Sequence, residues 1–253
     1  MDVKRIPELI ALAEEAGRLA QRMRATPEQL ATRIKGPMDL LTEADLAVER
    51  LLREGLARLD PDAAILGEEG GLQGEGRATW IVDPIDGTVN FSRGSPDWAV
   101  SIAWADAKGI GAGVLHAPDL GQTAWAVRGE GSWLNGERVV FPDQPVEGPI
   151  VAIGHSARTP LQPYLDRIAR LAEAGVSHRR SGAATICFLS VLAGWTDAFH
   201  EEGLNLWDVA AGLLLIEEAG GTIQHDPLPC FFKQPSRVIA CNRARADLAD
   251  LLD

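Results

Sequence analysis

Residues 80–91 read Trp-Ile-Val-Asp-Pro-Ile-Asp-Gly-Thr-Val-Asn-Phe, and this stretch decides more about the fold than any other. Its apolar start predicts a buried strand that ends at two acids, Asp83 and Asp86. Because Pro84 cannot extend a strand ladder and Gly87 permits unusual backbone torsions, we expect the chain to turn here. A turn would bring both carboxylates to one point, where their repulsion favours a bound divalent cation. A plain Asp-Pro and Asp-Gly turn without a metal is the alternative.

Two further segments place an acid where an apolar element begins or ends. Residues 63–69, Ala-Ala-Ile-Leu-Gly-Glu-Glu, form an apolar run that ends in acids, among them Glu68. In residues 206–221, Asp208 opens a helix with apolar side chains at helical spacing. Ligand sites in open α/β sheets lie at such element ends, so the three segments together predict a shared metal site. A simple helix cap is the alternative for Asp208.

These segments, in this order and separation, resemble the inositol monophosphatase family, which belongs to the metal-dependent, lithium-sensitive sugar-phosphatase superfamily. The resemblance rests on residues 67–69, 83–91 and 207–212, and it runs from about residue 5 to the C-terminus. It implies an α/β (mixed α+β) fold, a layered α-β-α-β-α sandwich with an antiparallel N-terminal sheet and a mixed C-terminal sheet. It also implies a lithium-sensitive, Mg²⁺-dependent phosphatase that forms a homodimer and binds a small phosphorylated polyol.

The resemblance further implies two Mg²⁺ ions and a third, weaker one that contacts Glu68 and water. The first ion would be held by Glu68, Asp83 and the backbone carbonyl of Ile85. The second would be held by Asp83, Asp86 and Asp208. Carboxylate and carbonyl oxygens are the ligands that such hard cations require. Two adjacent ions can hold both the attacking and the leaving oxygen of an in-line displacement.

Residues 39–50 would contribute to activating the nucleophile. Thr42 followed three residues later by Asp45 is a capping-box-like helix start, and a cap without chemistry is the alternative. In the family, the acid that matches Asp45 hydrogen-bonds the threonine that matches Thr88. That threonine and the glutamate that matches Glu68 orient and deprotonate a metal-bound water. The catalytic residues implied by the resemblance are therefore Glu68, Thr88 and Asp45.

Substrate contacts are expected from two parts of the chain. The N–H groups of Gly87 and Thr88 can point at a phosphate oxygen, because Gly87 lets the backbone approach a ligand closely. The segment 179–185 resembles the family's contact with sugar hydroxyls, and Glu201 matches a glutamate that accepts hydrogen bonds from inositol. The substrate-binding residues implied are Asp86, Gly87, Thr88, Gly182, Ala184, Glu201 and Asp208.

One departure from the family pattern concerns Lys35. The family usually carries a lysine five residues before the acid that matches Asp39, whereas Lys35 lies four residues before it. The loop between them is therefore one residue shorter, which leaves open how Lys35 lies relative to the metals.

The properties of the whole chain restrict its partners and compartment. With 253 residues the chain can bury a large core. A net charge of −12 disfavours nucleic acid and anionic membranes as partners, so an anionic phosphate needs cations where it binds. Three cysteines without metal-like spacing favour reduced thiols and a cytoplasmic protein. The sequence shows neither a signal peptide nor an apolar run of membrane-spanning length.

The pattern predicts two halves, 1–144 with most metal ligands and 145–253 with Asp208 and the substrate segment, joined by the proline-rich segment 142–149. Residues 129–136 are expected to form a hairpin loop. Helices are expected near 3–23, 43–58, 160–174 and 183–193, and from Asp208 onward. Strands are expected near 63–67, 79–83, 98–105, 110–116, 122–128, 150–154, 196–200, 221–224 and 237–240.

The expected activity is hydrolysis of a small polyol phosphate, most of all inositol monophosphate, by direct attack of a metal-bound water. Fructose-1,6-bisphosphatase, histidinol-phosphatase and 3′-phosphonucleotidase of the same superfamily are the alternatives. A haloacid-dehalogenase site is set aside, because its acids lie two residues apart and Asp83 and Asp86 lie three apart. A non-enzymatic metal-binding regulatory module is the remaining alternative. A catalytically idle family member would be expected to lack one of five residues, and all are present: Glu68, Asp83, Asp86, Thr88 and Asp208.

Overall fold

The computed structural model describes residues 3–26, 32–36, 39–231 and 234–253, and residues 32–36, 39 and 40 by their backbone alone. The described helices are α1 (Ile6–Arg24), α2 (Glu43–Leu59), α3 (Thr88–Ser92), α4 (Leu161–Glu173), α5 (Ala184–Leu192), α6 (Leu206–Glu218), α7 (Leu228–Phe231) and α8 (Leu248–Leu252). The described strands are β1 (Thr32–Gly36), β2 (Asp39–Thr42), β3 (Ala64–Gly67), β4 (Gly71–Gln73), β5 (Ala78–Asp86), β6 (Ala99–Asp106), β7 (Gly109–Ala117), β8 (Gln122–Val127), β9 (Gly131–Leu134), β10 (Glu137–Val139), β11 (Ile150–Ile153), β12 (Ser177–Arg179), β13 (Ala198–Leu204), β14 (Thr222–His225) and β15 (Ser236–Cys241).

The described strands form three sheets. The largest has eight strands in the order β10-β9-β8-β7-β6-β5-β3-β4, and a second has five in the order β12-β11-β13-β15-β14. Strands β1 and β2 form a separate antiparallel pair. The five-stranded sheet is mixed, as predicted, since β11 runs parallel to β12 and β13 while β15 is antiparallel to β13 and β14.

The eight-stranded sheet is antiparallel, as predicted, except where β3 pairs with β5 in parallel. The chain reverses into the short strand β4 and reverses again before β5, using glycines at positive φ. Strand β5 therefore runs beside β3 in the same direction, with Gly67 opposite Val82. This register places the residue that follows each of them, Glu68 and Asp83, side by side at the same edge of the sheet.

Helices and sheets alternate in the order α-β-α-β-α that the family resemblance implies. Helices α1 and α2 cover one face of the eight-stranded sheet, α5 and α6 lie between the two large sheets, and α4 and α8 cover the outer face of the five-stranded sheet. Side chains alternate accordingly along β5: Trp80 and Val82 pack under α1 and α2, whereas Ile81 joins the core around α5 and α6. Among the described helices, none combines the length and the apolar character of a membrane span.

The two expected halves share their interior. Helix α6 belongs to the second half by sequence, yet it packs on β6, β7 and β8 of the eight-stranded sheet. Residues 142–149 contain neither helix nor strand and connect the two large sheets. Apolar side chains from both sides of this segment form one continuous core. The division into residues 1–144 and 145–253 stays a prediction.

The prediction of a hairpin loop at residues 129–136 is wrong, because Gly131–Leu134 form strand β9. This strand pairs with β8 on one side and with β10 on the other, so the turns lie before and after it. The turn into β10 uses Asn135 and Gly136, both at positive φ. In the sequence, turn-forming residues lie on both sides of this short strand, so the whole segment was predicted as a loop. The other expected elements are present with ends shifted by a few residues. The sequence did not predict the strands β1, β2, β4, β10 and β12 or the short helices α7 and α8.

Helix α6 approaches its neighbours closely at two glycines. A Cβ built on Gly113 of β7 would lie 2.9 Å from the Cα of Ala211, and a Cβ on Gly212 would lie 2.3 Å from the ring of Phe188. Carbon atoms do not approach this closely in a packed core, so neither position has room for a methyl group. These two contacts fix the position of α6 between the sheets, and with it the position of Asp208 on the first turn of the helix.

Gly212→Ala is expected to lower the free energy of unfolding by about 1–3 kcal/mol, because overpacking against α5 outweighs the gain in helix propensity. Urea denaturation followed by circular dichroism measures this change. Glu217→Ala, on the exposed side of the same helix, is the control and should stay within about 0.5 kcal/mol of the wild type. Equal stability of the two variants would contradict the tight contact between α5 and α6.

Candidate active site

Strand β5 continues past Pro84, where a turn was expected. Asp83 pairs with Ser101 of β6, and Asp86 pairs with Ala99. A step of three residues on β5 therefore matches a step of two on β6, which is a β-bulge. Pro84, which has no N–H to donate, lies within this bulge. The extra residue brings two acids that are three positions apart to the same side of the strand, which a regular strand cannot do. The chain turns afterwards, at Gly87, where φ is 91°.

Acids from separate parts of the chain meet at this end of the sheet. Carboxylate oxygens of Asp83, Asp86 and Asp208 all lie within 4.8 Å of one another. Asp208 comes from the first turn of α6, whereas the other two come from β5. Together with Glu68, which follows β3, they line a single cavity of ≈ 290 Å³. The structure therefore brings together the four acids that the sequence singled out as metal ligands.

Hydrogen bonds hold these carboxylates in place. Asp208 Oδ2 accepts a hydrogen bond from the backbone N of Asn205 at 2.7 Å, at the start of α6. Asp86 Oδ2 accepts from the backbone N and the Oγ1 of Thr185, at 2.7 and 2.6 Å. Asp83 Oδ1 accepts from a backbone N two residues further along, at 3.0 Å. Each carboxylate has lone pairs beyond these bonds, so all three can also bind a cation.

Burial and mutual repulsion raise the pKa values of the acids. The pKa of Asp83 lies well above its usual range, first through burial and then through the charges of the neighbouring acids. The pKa of Asp208 is raised by burial and by repulsion from Asp86 and Glu68. Burial also raises the pKa of Asp86, against the hydrogen bonds from Thr185. A divalent cation would relieve this repulsion, and the donors are all hard oxygens, so the residues present fit Mg²⁺.

Thr88, the first residue of α3, connects the turn after β5 with the start of α2. Its Oγ1 lies 3.2 Å from Asp45 Oδ1 and 3.0 Å from the carbonyl oxygen of Ile85. A hydroxyl carries a single proton, so Thr88 donates to one of them at a time. Asp45 Oδ2 accepts hydrogen bonds from the backbone N and the Oγ1 of Thr42, at 2.7 and 2.5 Å, which completes a capping box. Asp45 is thus both a capping residue and a partner of Thr88.

The rest of the cavity wall comes from the second half of the chain. Gly182 and Ala184 line it, and so does Glu201 of β13. Burial raises the pKa of Glu201 to about 8, and repulsion from Asp86 adds to the shift. Gly154 leaves the space that Glu201 occupies, since a Cβ there would lie 1.9 Å from the carboxylate oxygen Oε2. Glu201 therefore shares the cavity with the acid cluster.

Sequence reasoning assigned no role to two residues of this cavity, Gly154 and Arg158, which follow β11. Arg180 also lines the cavity and belongs to the segment 179–185 that was expected to contact the sugar. Within the described chain, neither arginine forms a salt bridge with a carboxylate. A glycine directly after an apolar strand, as at Gly154, was an available signal, because it marks the close approach of another group. The side chain of Lys35 lies outside the described part of the structure, so its expected position over the metals stays open.

Without a cation, the acids of the site should destabilise the folded protein increasingly as the pH rises from about 5 to about 8. His200 and His116, whose pKa values are lowered by burial, act in the opposite sense up to about pH 6.5. Acids with raised pKa values keep protons in the folded state that the unfolded chain has released, so their contribution to the free energy of unfolding falls through this window. Asp45, with a pKa of about 6, and Glu201 contribute, together with Asp83 and Asp208. Each pKa unit by which folding raises the value for one acid corresponds to about 1.4 kcal/mol in the free energy of unfolding. Urea denaturation in EDTA at several pH values measures the slope.

Asp83→Asn should flatten this slope and raise the stability at pH 8 in EDTA, because it removes one charge from the cluster while keeping an oxygen for the bond at Oδ1. Asp62→Asn, the same change at an exposed position, is the control and should leave the slope as in the wild type. An Asp83→Asn slope equal to that of the wild type in EDTA would contradict the electrostatic description of the site.

The chain was compared with known families, proteins and structures. The sequence profile of the inositol monophosphatase family matches residues 3–252. The protein named Nus factor SuhB of Xylella fastidiosa is 36% identical over 218 residues, which cover 85% of this chain and 79% of that protein. The fructose-1,6-bisphosphatase/inositol-1-monophosphatase of Thermotoga maritima is 34% identical over 193 residues, which cover 74% of this chain and 72% of that protein.

The fold has solved counterparts as well. The crystal structure of the extragenic suppressor protein suhB from Bartonella henselae superimposes with a TM-score of 0.89 at 33% identity, covering 98% of both chains. The similarity therefore spans both large sheets and all the segments that contribute acids to the cavity. On the family profile, the fold and the placement of the acids, this chain belongs to the inositol monophosphatase family of phosphatases.

Proposed function

We propose that this protein is a Mg²⁺-dependent phosphomonoesterase that hydrolyses a small polyol phosphate, with inositol monophosphate as the preferred substrate, by direct attack of water and without a phospho-enzyme. The observation that carries the proposal is the convergence of Asp83, Asp86 and Asp208 within 4.8 Å in a cavity that Glu68 also lines. Phosphate is an anion, and a cavity with this many acids binds it only with cations between them.

The proposed ligands are oxygens. Glu68, Asp83 and the carbonyl of Ile85 would hold a first Mg²⁺, and Asp83, Asp86 and Asp208 a second. The carbonyl of Ile85 already lies 3.0 Å from Thr88 Oγ1, and its second lone pair is available to an ion. Bound Mg²⁺ supplies positive charge that offsets the charge of the phosphate, and it lowers the pKa of a coordinated water.

The chain's own groups position and deprotonate the attacking water. Thr88 Oγ1 donates a hydrogen bond to Asp45, so a lone pair of Oγ1 can accept a hydrogen bond from the water. Glu68 accepts the proton that the water loses. The water oxygen then bonds to phosphorus as the bond from phosphorus to the polyol oxygen breaks, and the leaving oxygen takes a proton from a solvent water, to which Glu68 returns the proton it accepted. The N–H groups of Gly87 and Thr88 would donate to the phosphate oxygens.

The polyol is recognised at the other part of the wall. Glu201 can accept hydrogen bonds from two neighbouring hydroxyls through its two oxygens, provided that it is ionised. The charges of Arg180 and Arg158 favour this ionised form, against burial. Gly182 has no side chain and that of Ala184 is a single methyl group, which leaves room for a sugar ring beside Asp86 and Asp208. The homodimer, the sensitivity to lithium, the cytoplasmic location and the exclusion of nucleic acid as a partner stay predictions.

Asp83→Asn and Asp208→Asn are each expected to reduce Mg²⁺-dependent release of phosphate from inositol monophosphate by at least about 10²-fold, because each removes a charged ligand. Circular dichroism and urea denaturation should show that both variants stay folded. Asp62→Asn serves as the exposed control with activity near that of the wild type. Near-wild-type turnover of either cavity variant in saturating Mg²⁺ would refute the assignment of the site.

A second candidate substrate is fructose 1,6-bisphosphate, which carries an additional phosphate. The feature that favours it is the presence of Arg158 and Arg180 on the cavity wall without carboxylate partners in the described chain. Guanidinium groups bind phosphate with paired, charge-assisted hydrogen bonds. The relative from Thermotoga maritima bears both activities in its name. The two arginines would then hold the phosphate that is not hydrolysed.

Replacing both arginines, Arg158→Gln with Arg180→Gln, discriminates between the two substrates. If they hold a second phosphate, kcat/KM for fructose 1,6-bisphosphate should fall by at least about 10-fold, the effect of losing about 1.4 kcal/mol of charged hydrogen bonding. The value for inositol monophosphate should fall by a smaller factor, because the two charges also favour the ionised form of Glu201. Arg179→Gln, at an exposed neighbour outside the cavity, is the control. Equal losses for both substrates would reject a second phosphate site.

A further inference from the structure

One side of helix α2 contacts two separate segments of the candidate active site. Asp45, Glu49 and Arg53 follow one another at intervals of four residues, which places them along one side of the helix. Asp45 contacts Thr88, as described above. Glu49 and Arg53 contact the hairpin between β3 and β4, which carries Glu68. A single rigid element thus contacts Thr88 and the hairpin that carries Glu68, the two residues to which water activation has been assigned.

The carboxylate of Glu49 holds the turn that follows Glu68. It is 3% exposed, and its Oε2 accepts a hydrogen bond from the backbone N of Glu69 at 2.8 Å. Its Oε1 accepts one from the backbone N of Gly70, also at 2.8 Å, and a third from Arg53 Nε at the same distance. A buried carboxylate with three donors is a strong, directional contact. The two backbone donors come directly after the proposed metal ligand.

Arg53 extends this contact to both strands of the hairpin. Its Nη1 donates to the carbonyl oxygen of Ile65 in β3 at 3.2 Å, and its Nη2 donates to that of Gly71 in β4 at 2.7 Å. Together with the salt bridge to Glu49, these bonds use all three nitrogens of the planar guanidinium. Lysine, with a single ammonium group, cannot reproduce this pattern.

Two glycines of the hairpin provide the space for this pair. A Cβ on Gly67 would lie 2.6 Å from Glu49 Oε1, and a Cβ on Gly70 would lie 2.8 Å from the same oxygen. Both glycines therefore lie against the buried ion pair, one on each side of Glu68 and Glu69. The segment that carries Glu68 is shaped to receive the pair from α2.

We propose that Glu49 and Arg53 are positioning residues that hold Glu68 at a fixed place relative to Thr88 and Asp83. This inference rests on the proposed function, because it assumes that Glu68 binds Mg²⁺. Pairs that orient metal ligands act on metal affinity, since a ligand that is free to move loses entropy when it binds. A pair with a purely structural role would alter stability and leave the affinity for Mg²⁺ unchanged.

The test is the affinity for Mg²⁺ of the full-length protein, measured by isothermal titration calorimetry without substrate. Glu49→Gln is expected to raise the Mg²⁺ dissociation constant by about 10-fold or more, the usual effect of removing a group that orients a ligand. At saturating Mg²⁺, kcat should fall less than the affinity does. Glu54→Gln, the same change on the exposed side of α2, is the control and should bind Mg²⁺ as the wild type does.

A double-mutant cycle with Glu68→Gln tests whether the effect passes through Glu68. In that background, adding Glu49→Gln should change the Mg²⁺ dissociation constant by less than about 2-fold, because the oriented ligand is already missing. An equal loss of affinity in both backgrounds would overturn the proposal, as would a Glu49→Gln variant that is less stable but binds Mg²⁺ normally. If Glu49→Gln does not fold, Arg53→Lys provides the same comparison with a smaller change.

Failure of the proposed function gives a different result. A wild-type protein that neither binds Mg²⁺ nor releases phosphate from a sugar or inositol phosphate refutes that function. Normal activity and Mg²⁺ binding in the wild type, with unchanged binding in both Glu49→Gln and Arg53→Lys, refutes only the positioning role.

Discussion

Repulsion between buried carboxylates is the constraint on which the rest of this structure depends. Asp83, Asp86 and Asp208 bring oxygens within 4.8 Å of one another in a cavity, at a cost in free energy when no cation is bound. Packing elsewhere offsets this cost: β5, which carries two of the acids, lies between two large apolar cores. A cation that binds the cluster removes this repulsion. The repulsion that destabilises the metal-free protein therefore adds to the free energy of cation binding.

Two helices orient a carboxylate in the same way. Both α2 and α6 begin with a capping box, in which the acid at the third helical position, Asp45 or Asp208, accepts a hydrogen bond from the N–H of the capping residue. In each case the Oδ2 atom accepts that bond, from Thr42 or Asn205. The helix start fixes one oxygen and its dipole favours the charged form, so the side chain is oriented before a ligand binds. For Asp45 and Asp208, the sequence offers a helix cap as the alternative to a role in the site. The structure combines the two, because the capping carboxylate also lies at the candidate site.

Local patterns explain what the sequence predicts well. Apolar periodicity and turn residues locate the long helices and strands, and the motif that contains Asp83 identifies the family and the layered fold. Contacts between distant segments leave no such pattern: the bond from Thr185 to Asp86 spans 99 positions, and Glu201 reaches the space beside Gly154 only because β11 and β13 are neighbours in a sheet. The bulge at Pro84 escaped prediction for a related reason, since a proline after an acid fits both a turn and a bulge.

In the proposed function, the reaction and the choice of substrate depend on different parts of this fold. The acids lie on a bulged strand and on helix starts that are packed tightly against both sheets, and a change there disturbs the core. Glu201 and Arg158, by contrast, lie on the wall formed by the second half, where one lies in a strand and the other follows one. Under the proposed function, substitutions of Glu201 or Arg158 would alter what fits beside the phosphate while leaving in place the hydrogen bonds that hold Asp83, Asp86 and Asp208. Membership of the family therefore constrains the reaction more than it constrains the alcohol that leaves the phosphate.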